Sequence, residues 1–167
     1  MEALHAPWRI QYILGPKRTP DGGSIFSEVA QSSDDEANHV LVRARSCFAV
    51  LNTFPYNAGH ILVVPYRTIA TLEELTDDEM LELFKLVRRC VQALKQTLHP
   101  DGCNVGLNLG RAAGAGIEEH LHIHIVPRWQ GDTNFMPILA QTSVIPEALT
   151  ETAAKLRAAL ATLSTQS

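Results

Sequence analysis

The chain is short of sulfur, of long apolar runs and of surplus basic charge, and each shortage excludes something. Its three cysteines, Cys47, Cys90 and Cys103, are odd in number, far apart and without a C-x-x-C pair. That argues against a disulfide framework and for reduced thiols. Cys47 and Cys103 fall in apolar, strand-like runs, where an inert buried thiol is a commoner outcome than a catalytic one. No apolar run approaches the roughly 18 residues that a membrane span needs. The first residues also lack the basic, apolar and small-residue regions of a secretory signal, so the expected setting is cytoplasmic, with no membrane partner. Lys and Arg number 14 against 18 Asp and Glu, for a net charge of -4. A non-specific grip on nucleic acid needs the opposite balance, although a local basic pocket remains open.

What is present fits one domain. A chain of 167 residues with 46% hydrophobic and 19% charged content is long enough to bury a sizeable core. Residues 1–40 read as an arm and loop, broken by Pro7, Gly15, Pro16, Pro20, Gly22 and Gly23. Within that arm Ile25 to Ala30 reads as a short strand, and Ser33 to Glu36 as a solvated acidic turn. Trp8, Ile10, Tyr12 and Ile13 offer apolar area for docking on the body or on a partner.

Residues 41–140 carry the core pattern. Cys47 to Leu51 and Ile61 to Val64 are apolar runs around the turn-rich segment Phe54 to Gly59, which predicts an antiparallel hairpin. Thr76-Asp77-Asp78-Glu79 forms a capping box ahead of Met80, Leu83, Phe84, Val87, Val91, Leu94 and Leu98 at helical spacing. This helix should run to about His99, where Pro100 and Gly102 end it. Cys103 to Leu109 returns to strand character before the loop Gly110 to Gly116. Residues 141–167 form an extension whose helix begins near Pro146 and packs through Leu149, Ala153, Leu156 and Leu160. The expected class is α+β: an antiparallel sheet of about five strands, one long helix packed on it and a C-terminal helix.

The chemistry concentrates in His120-Leu121-His122-Ile123-His124-Ile125-Val126. Read as a strand, it projects three imidazoles on one face, with Leu121, Ile123 and Ile125 entering the core. Rings that need hydrogen-bond partners and titrate near neutrality are a poor way to build a sheet. Alternate residues stand roughly 7 Å apart, so two histidines could share a metal with a third ligand such as His60 or His39, but three would struggle to converge. That leaves open a metal-dependent phosphohydrolase, a non-catalytic nucleotide-binding protein, or covalent catalysis in which one imidazole attacks phosphorus while its neighbours orient it. The Gly/Ala loop Gly110 to Gly116 suits the last reading, because glycines let backbone N–H groups approach an anion and Arg111 adds charge.

These residues give the chain its resemblance to a known family. His120 to Val126 matches His-φ-His-φ-His-φ-φ, with φ apolar, and Asn52, Asn57-Ala58-Gly59-His60, Pro65, Asn108 and Gly110 precede it in order. Over roughly Phe48 to Arg128 the chain resembles the histidine triad (HIT) superfamily of nucleotidyl hydrolases and transferases. The resemblance implies the HIT-like fold, a homodimer, and a dinucleoside polyphosphate substrate such as diadenosine tetraphosphate. It implies that His122 attacks the α-phosphate, that His120 and His124 bind phosphate and orient it, and that His60 backs the triad. It further places Asn52 on the ribose and Asn108, Gly110, Gly114, Gly116 and Asn134 near nucleotide or phosphate. No protein-bound cofactor or metal is implied; a divalent cation would travel with the nucleotide.

Two departures refine the comparison. Many family hydrolases carry Gln and then Ser or Thr where this chain has Gly116 and Ile117. The segment Gly114-Ala115-Gly116 and the sequel Pro127 to Met136 look like the branch that includes bacterial diadenosine tetraphosphate phosphorylases, which leaves water or phosphate open as acceptor. Some bacterial relatives also carry C-x-x-C near the N-terminus and a histidine after the hairpin, at places where Ser24, Ser27 and Thr68 stand here. Those residues lack the soft thiolates that a zinc site uses. Trp129, Phe54 and Tyr56 are divided between packing and base contact, and His39 reads as a loop or strand-edge residue.

Overall fold

The computed structural model describes residues 23–132 and 147–164. The N-terminal apolar residues, Pro146 and Asn134 lie outside them. In chain order the elements are α1 (Ile25–Gln31), β1 (Val40–Arg43), β2 (Cys47–Leu51), β3 (Ile61–Pro65), α2 (Asp77–Thr97), β4 (Gly102–Leu107), β5 (Ile123–Arg128) and α3 (Leu149–Ser164). The five strands form one sheet in the order β1-β2-β3-β5-β4, with every neighbouring pair antiparallel. Together with the helices this is the expected α+β architecture. No helix among the described residues is long and apolar enough to cross a membrane.

Strand alternation separates two cores. Cys47, Ala49 and Leu51 of β2, Ile61 and Val63 of β3, and Ile123 and Ile125 of β5 meet the buried faces of α2 and α3. Phe48 and Val50 of β2, with Leu62 and Val64 of β3, point the other way into a smaller cluster with Phe26 of α1 and Ile117. The period of two thus assigns each residue a side, and His124 falls on the second side, between its register partners Leu62 and Gly106. Gly106 contributes no side chain there, which leaves room beside the imidazole.

Helix α2 starts where its capping box predicts. The Thr76 side chain accepts from the Glu79 N–H, and Glu79 reaches back to the Thr76 N–H at 2.9 Å. One turn on, the Glu82 carboxylate accepts the N–H groups of Arg45 and Ser46 at 3.0 and 2.9 Å, tying the helix to the β1–β2 turn. Gly59, just before β3, is required by close approach: its φ is +78°, and a Cβ there would stand 2.5 Å from the Leu98 side chain.

Three local readings change. Ile25 to Gln31 is a helix rather than a strand, because Ser24 caps it by accepting the Ser27 N–H and Phe26 turns inward onto the sheet. The acidic run is pinned rather than merely solvated. Asp35 pairs with Arg43, whose guanidinium also donates to the carbonyls of Val29, Ala30 and Ser32 at the end of α1, and Arg157 of α3 donates to the Asp35 and Val40 carbonyls. Finally, β5 begins at Ile123, not His120, because the Leu121 N–H is donated to the Ile69 carbonyl at 2.7 Å, off the sheet.

Candidate active site

On the face away from α2 and α3 lies a cleft of about 520 Å³, walled by Phe26 and Val29 of α1, floored by Val50 and Leu62, and containing His122 and His124. Asn52, Asn108, Gly114 and Gly116 line it too, as do Phe54, Tyr56 and His39. Gly110 and Arg111 do not; with Thr71, Glu118 and Glu119 they line a neighbouring cavity of about 590 Å³ that shares Gly116. The loop expected to act as one phosphate cradle is therefore divided between two spaces. Gly110 and Gly114, both at positive φ, flank its short 3-10 turn, and the Asn108 amide reaches the Gly114 carbonyl at 3.5 Å.

Hydrogen bonds fix the histidine tautomers, since a carbonyl only accepts and a backbone N–H only donates. His122 Nδ1 lies 2.8 Å from the His120 carbonyl oxygen. It must carry the hydrogen, so Nε2 of neutral His122 holds the lone pair. Burial pushes the His122 pKa down, opposed by that backbone bond, and keeps the ring neutral. Phe26 packs against it at 5.0 Å between centroids, and the His124 ring meets it edge-on at 4.8 Å.

His120 keeps the orienting part of its expected role, since its carbonyl holds His122, while its ring is committed elsewhere. It is fully buried, and its Nε2–H is donated to the Pro65 carbonyl at 2.8 Å. Burial again lowers its pKa as the largest cause. The neutral ring therefore accepts the Ser24 hydroxyl hydrogen at Nδ1, at 2.5 Å. Neither nitrogen remains for a phosphate. With the Ser24 hydrogen committed, Ser27 donates to Ser24 at 3.2 Å and Thr68 donates to Ser27 at 2.9 Å, giving one directed chain of hydroxyls ending at His120.

The places where bacterial relatives carry zinc ligands have thus come together, but as three neutral hydroxyls already bonded to one another and to an imidazole. This donor set does not suit zinc, which calls for thiolate or further imidazole ligands. Among the described residues no group of three His, Cys, Asp or Glu is placed to hold a metal ion.

His60 is also fully buried. The Tyr56 N–H donates to its Nδ1 at 3.1 Å, and the Asn52 amide approaches the same nitrogen at 3.3 Å. Its hydrogen is therefore on Nε2, from which it is donated to His124 Nδ1 at 3.0 Å. Neutral His124 then carries its own hydrogen on Nε2. Asn52 is held in turn by accepting the Phe54 N–H at 2.9 Å. Tyr56 stacks on His60 at 5.2 Å and 18° while lining the cleft, so it serves packing and cleft together. Trp129 instead belongs to the turn after β5, where Asp132 accepts its N–H and pairs with Arg128 at 2.5 Å.

Sequence reasoning missed Ser24 and Phe26 as site components. The available signal was Ser24 as an N-cap, with Phe26, Val29 and Ala30 at helical spacing.

Residues 34–131 match the family model described as HIT domain. The chain is 43% identical over 158 residues to an AP-4-A phosphorylase of Mycobacterium tuberculosis, covering 91% of this chain and 80% of that protein. It is 34% identical over 95 residues to an asymmetrical bis(5'-nucleosyl)-tetraphosphatase of Schizosaccharomyces pombe, covering 57% and 52% of the two chains. A zinc-bound histidine triad family protein from Mycobacterium smegmatis superposes with a TM-score of 0.69 at 26% identity, over 86% of this chain and 96% of that one. This chain belongs to the HIT domain family.

Proposed function

We propose that the chain cleaves dinucleoside polyphosphates such as diadenosine tetraphosphate through a nucleotidyl-histidine intermediate on His122. The observation that carries this reading is the tautomer of His122: its Nδ1 hydrogen is held by the His120 carbonyl and its Nε2 lone pair is left to attack in a cleft. Nε2 bonds to the α-phosphorus as the bond to the polyphosphate oxygen breaks, and His124 gives its Nε2 hydrogen to the departing oxygen. His60 keeps His124 in the form that can give that hydrogen. Asn108 and loop N–H groups at Gly114 and Gly116 supply dipoles for the phosphoryl oxygens, and Asn52 serves the ribose.

In the second half-reaction an acceptor breaks the phosphorus–nitrogen bond and regenerates the histidine. Inorganic phosphate is the acceptor we favour. Gly116 lines both the cleft and the adjacent cavity, so the absent side chain leaves an approach from the side of Arg111. The name of the mycobacterial relative supports the same choice. Incubation with diadenosine tetraphosphate decides it. ADP plus ATP requires phosphate as acceptor, AMP plus ATP requires water, and no cleavage with no labelled histidine defeats the reading.

The protein is further proposed to act as a cytoplasmic homodimer. Strand β4 is a sheet edge whose Val105 is 44% exposed, with Leu109 just beyond it 43% exposed, and an open apolar edge is a template for a second copy. Light scattering at micromolar concentration should give twice the 18.4 kDa chain mass. The free thiols of Cys47, Cys90 and Cys103 accord with a reducing compartment.

A further inference from the structure

Among the polar side chains of the cleft that the mechanism does not use, which include Glu28, Ser32 and Thr53, are Asn38 and His39, adjacent residues in the segment between the acidic turn and β1. We infer that they read the 6-position of a purine base and select adenine, with its 6-amino group, over 6-oxo purines. The inference rests on the nucleotidyl reading of the same cleft.

The orientation of Asn38 is settled by its bonds. Its amide nitrogen donates one hydrogen to Ser32 Oγ at 2.9 Å and the other to the Asp34 carbonyl at 2.7 Å. Both donors are spent, so the carbonyl oxygen Oδ1 is what the amide has left to offer, and that oxygen can only accept. Among the described residues it has no hydrogen-bond donor. An adenine 6-amino group supplies one, whereas the 6-carbonyl of hypoxanthine or guanine would set two acceptors against each other.

His39 stands next to it in a conformation that the chain must be made to adopt. Its φ is +55°, in the left-handed region that a histidine seldom occupies. Its N–H is donated to the Glu36 carbonyl at 3.1 Å, and its carbonyl accepts the Leu51 N–H at 3.0 Å. Arg157 clamps the carbonyls of Asp35 and Val40 on either side at 2.9 and 2.8 Å. The register of β1 against β2 shifts immediately afterwards, between Val40 and Val42. Strain held from so many directions at a cleft is a marker of use. The His39 side chain makes no hydrogen bond among the described residues, and its Nδ1 is shielded from solvent without a partner. Nε2 is thus the nitrogen left to meet a ligand. A hydrogen there suits the purine ring nitrogen beside the 6-amino group, N1 or N7, each an acceptor in adenine.

The apolar part of the cleft gives such a base its faces, between Val29 of α1 and Val50 and Leu62 of the sheet. Asn38 and His39 then supply an acceptor and a donor from adjacent residues, the pairing that adenine's edge presents in reverse.

The test is calorimetric titration of the full chain with AMP and with IMP, which differ only in the 6-amino against 6-oxo edge. Wild type should bind AMP about 10-fold or more tightly than IMP, the discrimination expected of one well-placed base contact. His39→Gly removes the imidazole while keeping the positive φ accessible, and Asn38→Ala removes the acceptor; each should move the ratio toward one. A wild-type ratio below about 3-fold, or a ratio unchanged in both variants, overturns the proposal. Because the wild-type ratio is read from binding alone, it stands even if a variant fails to fold. Labelling of His122 by diadenosine tetraphosphate separates the two readings. Labelling without base preference sinks only this inference, and base preference without labelling sinks only the transfer mechanism.

Discussion

His122 donates its Nδ1 hydrogen to the carbonyl oxygen of His120 at 2.8 Å, and that single bond decides which nitrogen can react. Replacing His122 by Ala removes the nucleophile without touching the apolar walls. Turnover of diadenosine tetraphosphate should fall by at least about 1,000-fold, as for loss of a nucleophilic residue that acts as part of a unit, while nucleotide still binds. Equilibrium titration beside a product assay checks both halves. Wild-type-like turnover in the variant would defeat the assignment.

Removing the Ser24 hydroxyl should weaken the fold as well as the site. Ser24 is fully buried, donates to His120 Nδ1 and caps α1, the helix that lays Phe26 against His122. In Ser24→Ala the buried imidazole nitrogen loses its donor, at a cost of about 1–3 kcal/mol, and the helix loses a cap worth about 1 kcal/mol. Urea denaturation should register a loss of that order. A midpoint equal to wild type would show that the hydroxyl chain from Thr68 to His120 carries no stability.

Acid should destabilise the protein through the same pair. Burial lowers the pKa values of His120 and His122 below the usual imidazole value of 6.5. Between the folded and unfolded values the unfolded chain binds more protons, so stability rises with pH there. The contribution is therefore full above about pH 6.5 and is lost as pH falls through the folded-state values. Denaturant midpoints measured across pH 5 to 8 should decline only on the acid side. The acid limb of kcat/KM should likewise lie below 6.5, because neutral His122 is the reactive form. An acid limb at or above 6.5 would contradict the buried nucleophile.

Long, strongly patterned elements were legible in the sequence. The hairpin of β2 and β3 and the capped helix α2 each carry their period and their stop signals within one segment. Helix α1 was not, because seven residues hold barely two turns, and the side on which Phe26 packs is set by a sheet far along the chain. The His120–Val126 alternation gave the correct faces for Ile123, His124 and Ile125, yet it overran the strand. Alternation reports side-chain parity, whereas a strand also needs a pairing partner, and Leu121 finds its acceptor at Ile69 instead. The partners of His120 are Ser24 and Pro65, 96 and 55 residues away. No local spacing encodes such contacts, and for that reason His120 reads in sequence as a phosphate-binding and orienting residue, with nothing to show that its ring is a buried anchor.

The part played by His60 can be separated from mere packing by choice of substrate. Its Nε2–H fixes His124 as an acceptor at Nδ1 and so places the His124 hydrogen on Nε2, where a leaving oxygen would take it. In His60→Phe the ring volume is largely kept but that hydrogen bond is lost, and His124 is free to adopt the tautomer that cannot protonate the leaving group. The loss should be about 100-fold with adenosine 5'-phosphoramidate, whose amine departs only once it has taken a proton, within the range of a general acid. It should be several-fold or less with a p-nitrophenyl ester of AMP, whose leaving group needs no proton. A variant that only loosened the cleft would slow both substrates alike. Equal losses on the two would therefore remove His60 from the proton path and leave it as a packing residue beneath Tyr56.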